Sequence, residues 1–131
     1  MLDKIKYITV SEKKYPMAFT LNVMESIQEK YGSMEKWGEI LQPEGEEPKI
    51  KDLIWTFKEF INEGIDIEND EKEEKRSFIT EKQAGRLISY IGLNEITSQL
   101  QDITVASTKT NNLKNVQTTQ NLPEKTTETM A

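Results

Sequence analysis

The side chains that most often carry out chemistry in proteins are missing from this chain: its 131 residues include no histidine and no cysteine. Without histidine there is no imidazole general base, no usual partner for a nucleophilic serine, and no main ligand for catalytic zinc. Without cysteine, disulfides and thiolate metal sites are excluded. What remains is carboxylate chemistry, either an acid/base pair or Mg²⁺ held by Asp and Glu. A metal-dependent hydrolase of that kind needs acids converging on one pocket, whereas the acids here cluster in runs. The run Asp66-Ile67-Glu68-Asn69-Asp70-Glu71 invites a calcium reading. An EF-hand loop needs Gly at its sixth place and a bidentate Glu at its twelfth. Counted from Asp66 these places hold Glu71 and Ser77, so both requirements fail and a solvated surface loop is the better account.

Three further features have a functional and a plain reading. Two helices around Gly92 resemble a helix-turn-helix in outline, but the segment Asn94 to Asp102 holds two acids and no Lys or Arg. A recognition helix needs groups that read bases or bind phosphate, so a plain helical hairpin is favoured. Gly85 inside a helix marks either close helix approach or a tolerated glycine, and no function is attached to it. Trp55 lies off the apolar stripe of its own helix, among Lys51, Asp52, Glu59 and Asn62. An indole there is either covered by another element of the same chain, the favoured reading, or offered to a protein partner, where Trp is enriched among binding hot spots. Trp37 lies on its own apolar stripe and reads as core.

The elements that position these residues follow from periodicity. Ile5–Val10 and Tyr15–Thr20 read as the strands of a β-hairpin, with Ser11-Glu12-Lys13-Lys14 as a polar turn and Pro16 near a strand start. A helix begins at Leu21-Asn22 with Val23, Met24, Ile27 and Tyr31 on one face, and Gly32 stops it. Ser33 caps a short helix carrying Met34, Trp37, Ile40 and Leu41. After a Pro/Gly/Glu loop over 42–48, the strongest signal follows: Ile50, Leu53, Ile54, Phe57, Phe60 and Ile61, with Gly64 as a C-terminal stop. Residues 65–76 read as a loop or frayed extension. Thr80-Glu81-Lys82-Gln83 is a capping box opening a helix with Ala84, Leu87, Ile88 and Ile91 inward, ending at Gly92. A last helix from about Asn94 shows Ile96, Leu100 and Ile103.

The expected fold is therefore mainly α: a small helical domain over 1–106 with an N-terminal β-hairpin, then a disordered Thr/Asn/Gln-rich tail over 107–131. Leu113, Val116 and Leu122 are too scattered to offset the tail's ordering entropy, and whether it is an inert linker or orders on a partner stays open.

Composition narrows the function. The net charge of −6 opposes binding to nucleic acid and to anionic membranes. No apolar run approaches the roughly 20 residues of a membrane span, and residues 1–6 lack a signal-peptide core, so the chain is expected to stay in the cytoplasm. It is expected not to be an enzyme and to need no cofactor or metal.

The order of parts adds a family. The run from Tyr15-Pro16-Met17-Ala18-Phe19-Thr20-Leu21-Asn22 through Glu29-Lys30-Tyr31-Gly32 resembles the strand, Asn, helix and Glu-Lys-aromatic-Gly opening of tail assembly chaperones of long-tailed bacteriophages and prophages. Ile50-Lys51-Asp52-Leu53-Ile54-Trp55-Thr56-Phe57 is similar to the family's helix after a variable loop. The resemblance covers about residues 5–103. It implies a mainly helical protein in the cytoplasm of the bacterial host that binds the tape measure protein and keeps it soluble while tail-tube subunits polymerise. It also implies absence from the mature virion and, often, a frameshifted longer form. Tape measure protein and tail-tube protein are the implied partners, self-association stays open, and Trp55 is the candidate contact. A small phage or bacterial regulatory adaptor is the alternative.

Overall fold

A computed structural model describes the backbone of residues 4–111 and the side chains of residues 4–106. Two strands and five helices follow in order: β1 (Lys6–Val10), β2 (Lys13–Met17), α1 (Leu21–Tyr31), α2 (Met34–Leu41), α3 (Ile50–Glu71), α4 (Glu81–Ile91) and α5 (Leu93–Asn111). The first compact unit ends at Leu100 and the second begins at Gln101. The backbone of α5 continues five residues past Ala106, where the apolar pattern ends. Residues 112–131, and with them most of the expected tail, lie outside the described residues.

The hairpin is tighter than the sequence suggests. Lys13 and Lys14, expected in the turn, pair with Val10 and Thr9. The turn is Ser11-Glu12 alone, with φ of 50° and 70°. That left-handed pair is the geometry whose twist matches two antiparallel strands. It is uncommon without Gly or Asn, so composition gives no warning of it. Closure at Val10–Lys13 makes that pair hydrogen-bonded, and bonding then alternates along the ladder. Pro16, opposite Tyr7, therefore falls where its missing N–H faces away from β1.

Helix ends obey the expected chemistry. Thr20 caps α1 by accepting from the Asn22 N–H, Ser33 caps α2 by accepting from Lys36, and Thr80 and Gln83 form the reciprocal capping box of α4. Gly32 and Gly92, with φ of 96° and 104°, end α1 and α4 in backbone that other residues rarely adopt.

The main correction concerns α3. Gly64 does not stop it; the helix runs on to Glu71, and Ile65, Ile67 and Glu68 are buried. Glycine is there because β2 crosses at that point: a Cβ on Gly64 would lie 2.7 Å from the Pro16 carbonyl carbon and oxygen. The signal of a helix stop was thus a signal of close packing. One turn earlier the Phe60 carbonyl accepts the Ala18 N–H at 3.0 Å, anchoring the chain as it leaves β2.

Around α3 the core assembles from Leu53, Phe57, Phe60, Ile61 and Ile65, all essentially inaccessible. Phe19 and Trp37 close it with Phe60, at ring separations of 5.3 Å and 6.3 Å, pairs worth about 0.5–1.5 kcal/mol beyond their buried area. Trp37 is core, as expected, and its Nε1–H donates to the buried Thr56 hydroxyl at 3.1 Å. Gly85 brings α4 against α3, with Ile54 Cδ1 at 3.4 Å from its would-be Cβ. Ile50, placed on the apolar stripe by spacing, is instead 52% exposed at the first residue of α3.

Candidate functional site

The chain from Lys72 to Ile79 returns along α3, and two asparagines hold it there. Asn69 donates to the Arg76 carbonyl and accepts the Arg76 N–H, both at 3.0 Å. Asn62 does the same to Ile79, at 3.1 Å and 2.8 Å. Seven residues separate the two, about two helical turns, so they share one face of α3 and each pairs with both backbone groups of a single residue. The strap leaves Phe78 between them, 55% exposed.

Arg76 is fixed further by Glu68. Its Nε donates to Glu68 Oε1 at 3.2 Å and its Nη1 to the Lys14 carbonyl at 3.0 Å. The Tyr7 hydroxyl donates to Glu68 Oε2 at 2.6 Å, and Lys72 Nζ lies 3.5 Å from the same oxygen. Burial pushes the Glu68 carboxyl up. The Tyr7 hydrogen bond and the charges of Arg76 and Lys72 outweigh it and hold the group below the usual carboxylate range. Tyr7 is raised in turn, first by that hydrogen bond and then by burial. The acidic run expected as a solvated loop is thus the last turns of α3, and its Glu68 ties hairpin, helix and returning strap together. Among the described residues no group of three or more acids is arranged to hold a metal ion.

Trp55, the contact candidate from sequence, sits half-buried on α3. The Tyr31 ring meets it edge-on at 5.5 Å and Lys30 Nζ lies 5.2 Å from its ring centre. The last turn of α1 thus covers part of the indole. The Tyr31 hydroxyl donates to Asp52 at 2.7 Å. Burial first, and that bond second, push the phenol far above its ordinary value.

A second feature, a groove of mixed aromatic and charged lining, escaped the sequence reading. The strap, β2 and α4 enclose a groove lined by Tyr15, Phe78, Leu87 and Tyr90, with Lys13 and Arg86 among the cations at its rim. Tyr90, 75% exposed, is the most exposed of the large hydrophobic side chains among the described residues. Tyr90 lies outside the inward stripe of α4, and Phe78 lies in a segment without periodicity, so pattern alone gave neither a role. Trp55 is not among the groove residues.

Compared with known families, curated proteins and solved structures, the chain matches no family, no curated protein and no solved structure.

Proposed function

We propose that this chain is a tail assembly chaperone of a long-tailed bacteriophage or prophage, which binds the tape measure protein and keeps it soluble in the host cytoplasm until the tail tube encloses it. The observation that carries the reading on the physical side is the pair of exposed aromatic rings, Phe78 and Tyr90, over the groove beside β2 and α4. Aromatic side chains held out by a rigid strap and a capped helix offer apolar area at little entropic cost, as binding hot spots do. On the sequence side the support is the resemblance over about residues 5–103.

A holdase for a long apolar helical client needs contact area and a charged exterior against co-aggregation. The net charge of −6 supplies the second requirement. Client segments lie in the groove in this reading, and Trp55, on the face of α3 that also carries Asn62 and Asn69, is a secondary contact through the part of its ring that Tyr31 and Lys30 leave uncovered.

The test is co-expression with the tape measure protein of the same virus. The client is recovered soluble with the wild-type chain, while Phe78→Asp with Tyr90→Asp loses it and retains the wild-type melting curve. A client equally insoluble with and without this chain sinks the proposal. Position of the gene between those for the tail-tube and tape measure proteins is the independent expectation.

A further inference from the structure

The two edges of the hairpin are finished differently. With Val10–Lys13 as the bonded closing pair, Ile8 and Lys6 also bond inward, and the backbone groups of Tyr7 and Thr9 face away from β2. Opposite them, Lys14 and Pro16 face away from β1. The β2 edge is blunted: Pro16 offers no N–H, and the Lys14 carbonyl accepts from Arg76. The β1 edge is not. Among the described residues the N–H and C=O of Tyr7 and Thr9 make no hydrogen bond. Such an edge is a template for another strand.

Beside that edge runs a groove formed by Tyr90, Ile91, Glu95 and Gln99. Gln99 donates to Glu95 at 2.7 Å, while its own side-chain oxygen is buried and accepts nothing among the described residues. A buried acceptor without a donor is uncommon, and this one lies where an incoming chain would run.

We infer that β1 pairs with β1 of a second copy, antiparallel, about a two-fold axis through Ile8. The edge is self-complementary in that register. Tyr7 stands opposite Thr9 of the second copy and Thr9 opposite its Tyr7, so each outward N–H meets an outward C=O. Lys6, the one charged residue of β1, faces Val10 of the second copy, which keeps the two lysines at opposite ends of the pair. The two-stranded sheet of each copy becomes half of a continuous one. A two-stranded ribbon is marginal alone, so extension stabilises both copies. The pairing is independent of the chaperone reading and uses the chain by itself.

The experiment is sedimentation equilibrium of the full chain over a concentration series. The wild type moves from the monomer mass of 15.2 kDa to twice that value. Thr9→Pro removes an outward N–H at a position like that of Pro16, so the hairpin's inner bonds persist and the dimer is lost. Lys14→Pro imposes the same backbone constraint on the other edge and leaves the dimer in place. Amide exchange on the wild type requires no variant: protection at Tyr7 and Thr9 appears only as concentration rises, while Ile8 and Val10, already bonded within the hairpin, are protected at every concentration. A wild type monomeric at all concentrations overturns the proposal. So does a dimer that Thr9→Pro leaves intact, or one whose Tyr7 and Thr9 amides gain no protection.

Discussion

Two buried polar side chains, Thr56 and Glu68, each hold something specific in place. Thr56 is fully buried, and its hydroxyl accepts the Trp37 indole N–H. Thr56→Val keeps the volume but leaves that N–H without a partner, so a loss of about 1–3 kcal/mol is expected in urea unfolding. A variant as stable as the wild type means water or another acceptor replaces the hydroxyl. Glu68 makes a pH prediction. Its folded value is depressed, so between that value and the unfolded one the unfolded chain binds more protons. The stability Glu68 contributes is therefore complete above the ordinary carboxyl value of 4.5 and lost as pH falls through the folded value. In Glu68→Gln the acid limb of the stability–pH curve flattens; equal slopes in the two proteins reject the role. None of this could be read from the run 66–71, because its partners Tyr7 and Arg76 come from other elements.

At the scale of elements, α3 organises the rest, and Gly64 shows how. Ala is favoured over Gly inside a helix by about 1 kcal/mol, so on propensity alone Gly64→Ala stabilises the chain. The Pro16 backbone 2.7 Å from the added carbon reverses the sign. We expect a net loss of about 1–3 kcal/mol, the usual cost of overpacking a tight contact. Thermal and urea unfolding check it, and a variant at or above wild-type stability shows that α3 and β2 separate without cost. Capping signals at Ser33 and Thr80 act over three residues and survive into the structure because their partners are local. The strap 72–79 depends on Asn62 and Asn69 of α3, which have no local signature, and its course along the helix was not legible.

For the whole molecule the balance is between a charged exterior and the apolar groups it leaves uncovered. If the groove of Tyr15, Phe78 and Tyr90 holds the client, capture rests on apolar area more than on ion pairs. Raising ionic strength screens exposed charges beyond about 8–10 Å but does not weaken apolar burial. Client retention in pull-down is accordingly expected to persist as salt is raised. Release in moderate salt assigns capture to the rim cations Lys13 and Arg86 instead. No helix among the described residues is long and apolar enough to cross a membrane, as the hydropathy pattern anticipated.

Periodicity and capping alone determined the mainly helical fold, the hairpin, part of the buried face of each helix and the core place of Trp37, since these depend on residues within a turn or a strand of one another. Tertiary structure decided the rest: that Gly64 is a contact and not a stop, that the 66–71 acids end a helix, and that Phe78 and Tyr90 share a groove. Each of these is settled by a neighbour distant in sequence, and one-dimensional spacing carries no record of which distant segments will meet.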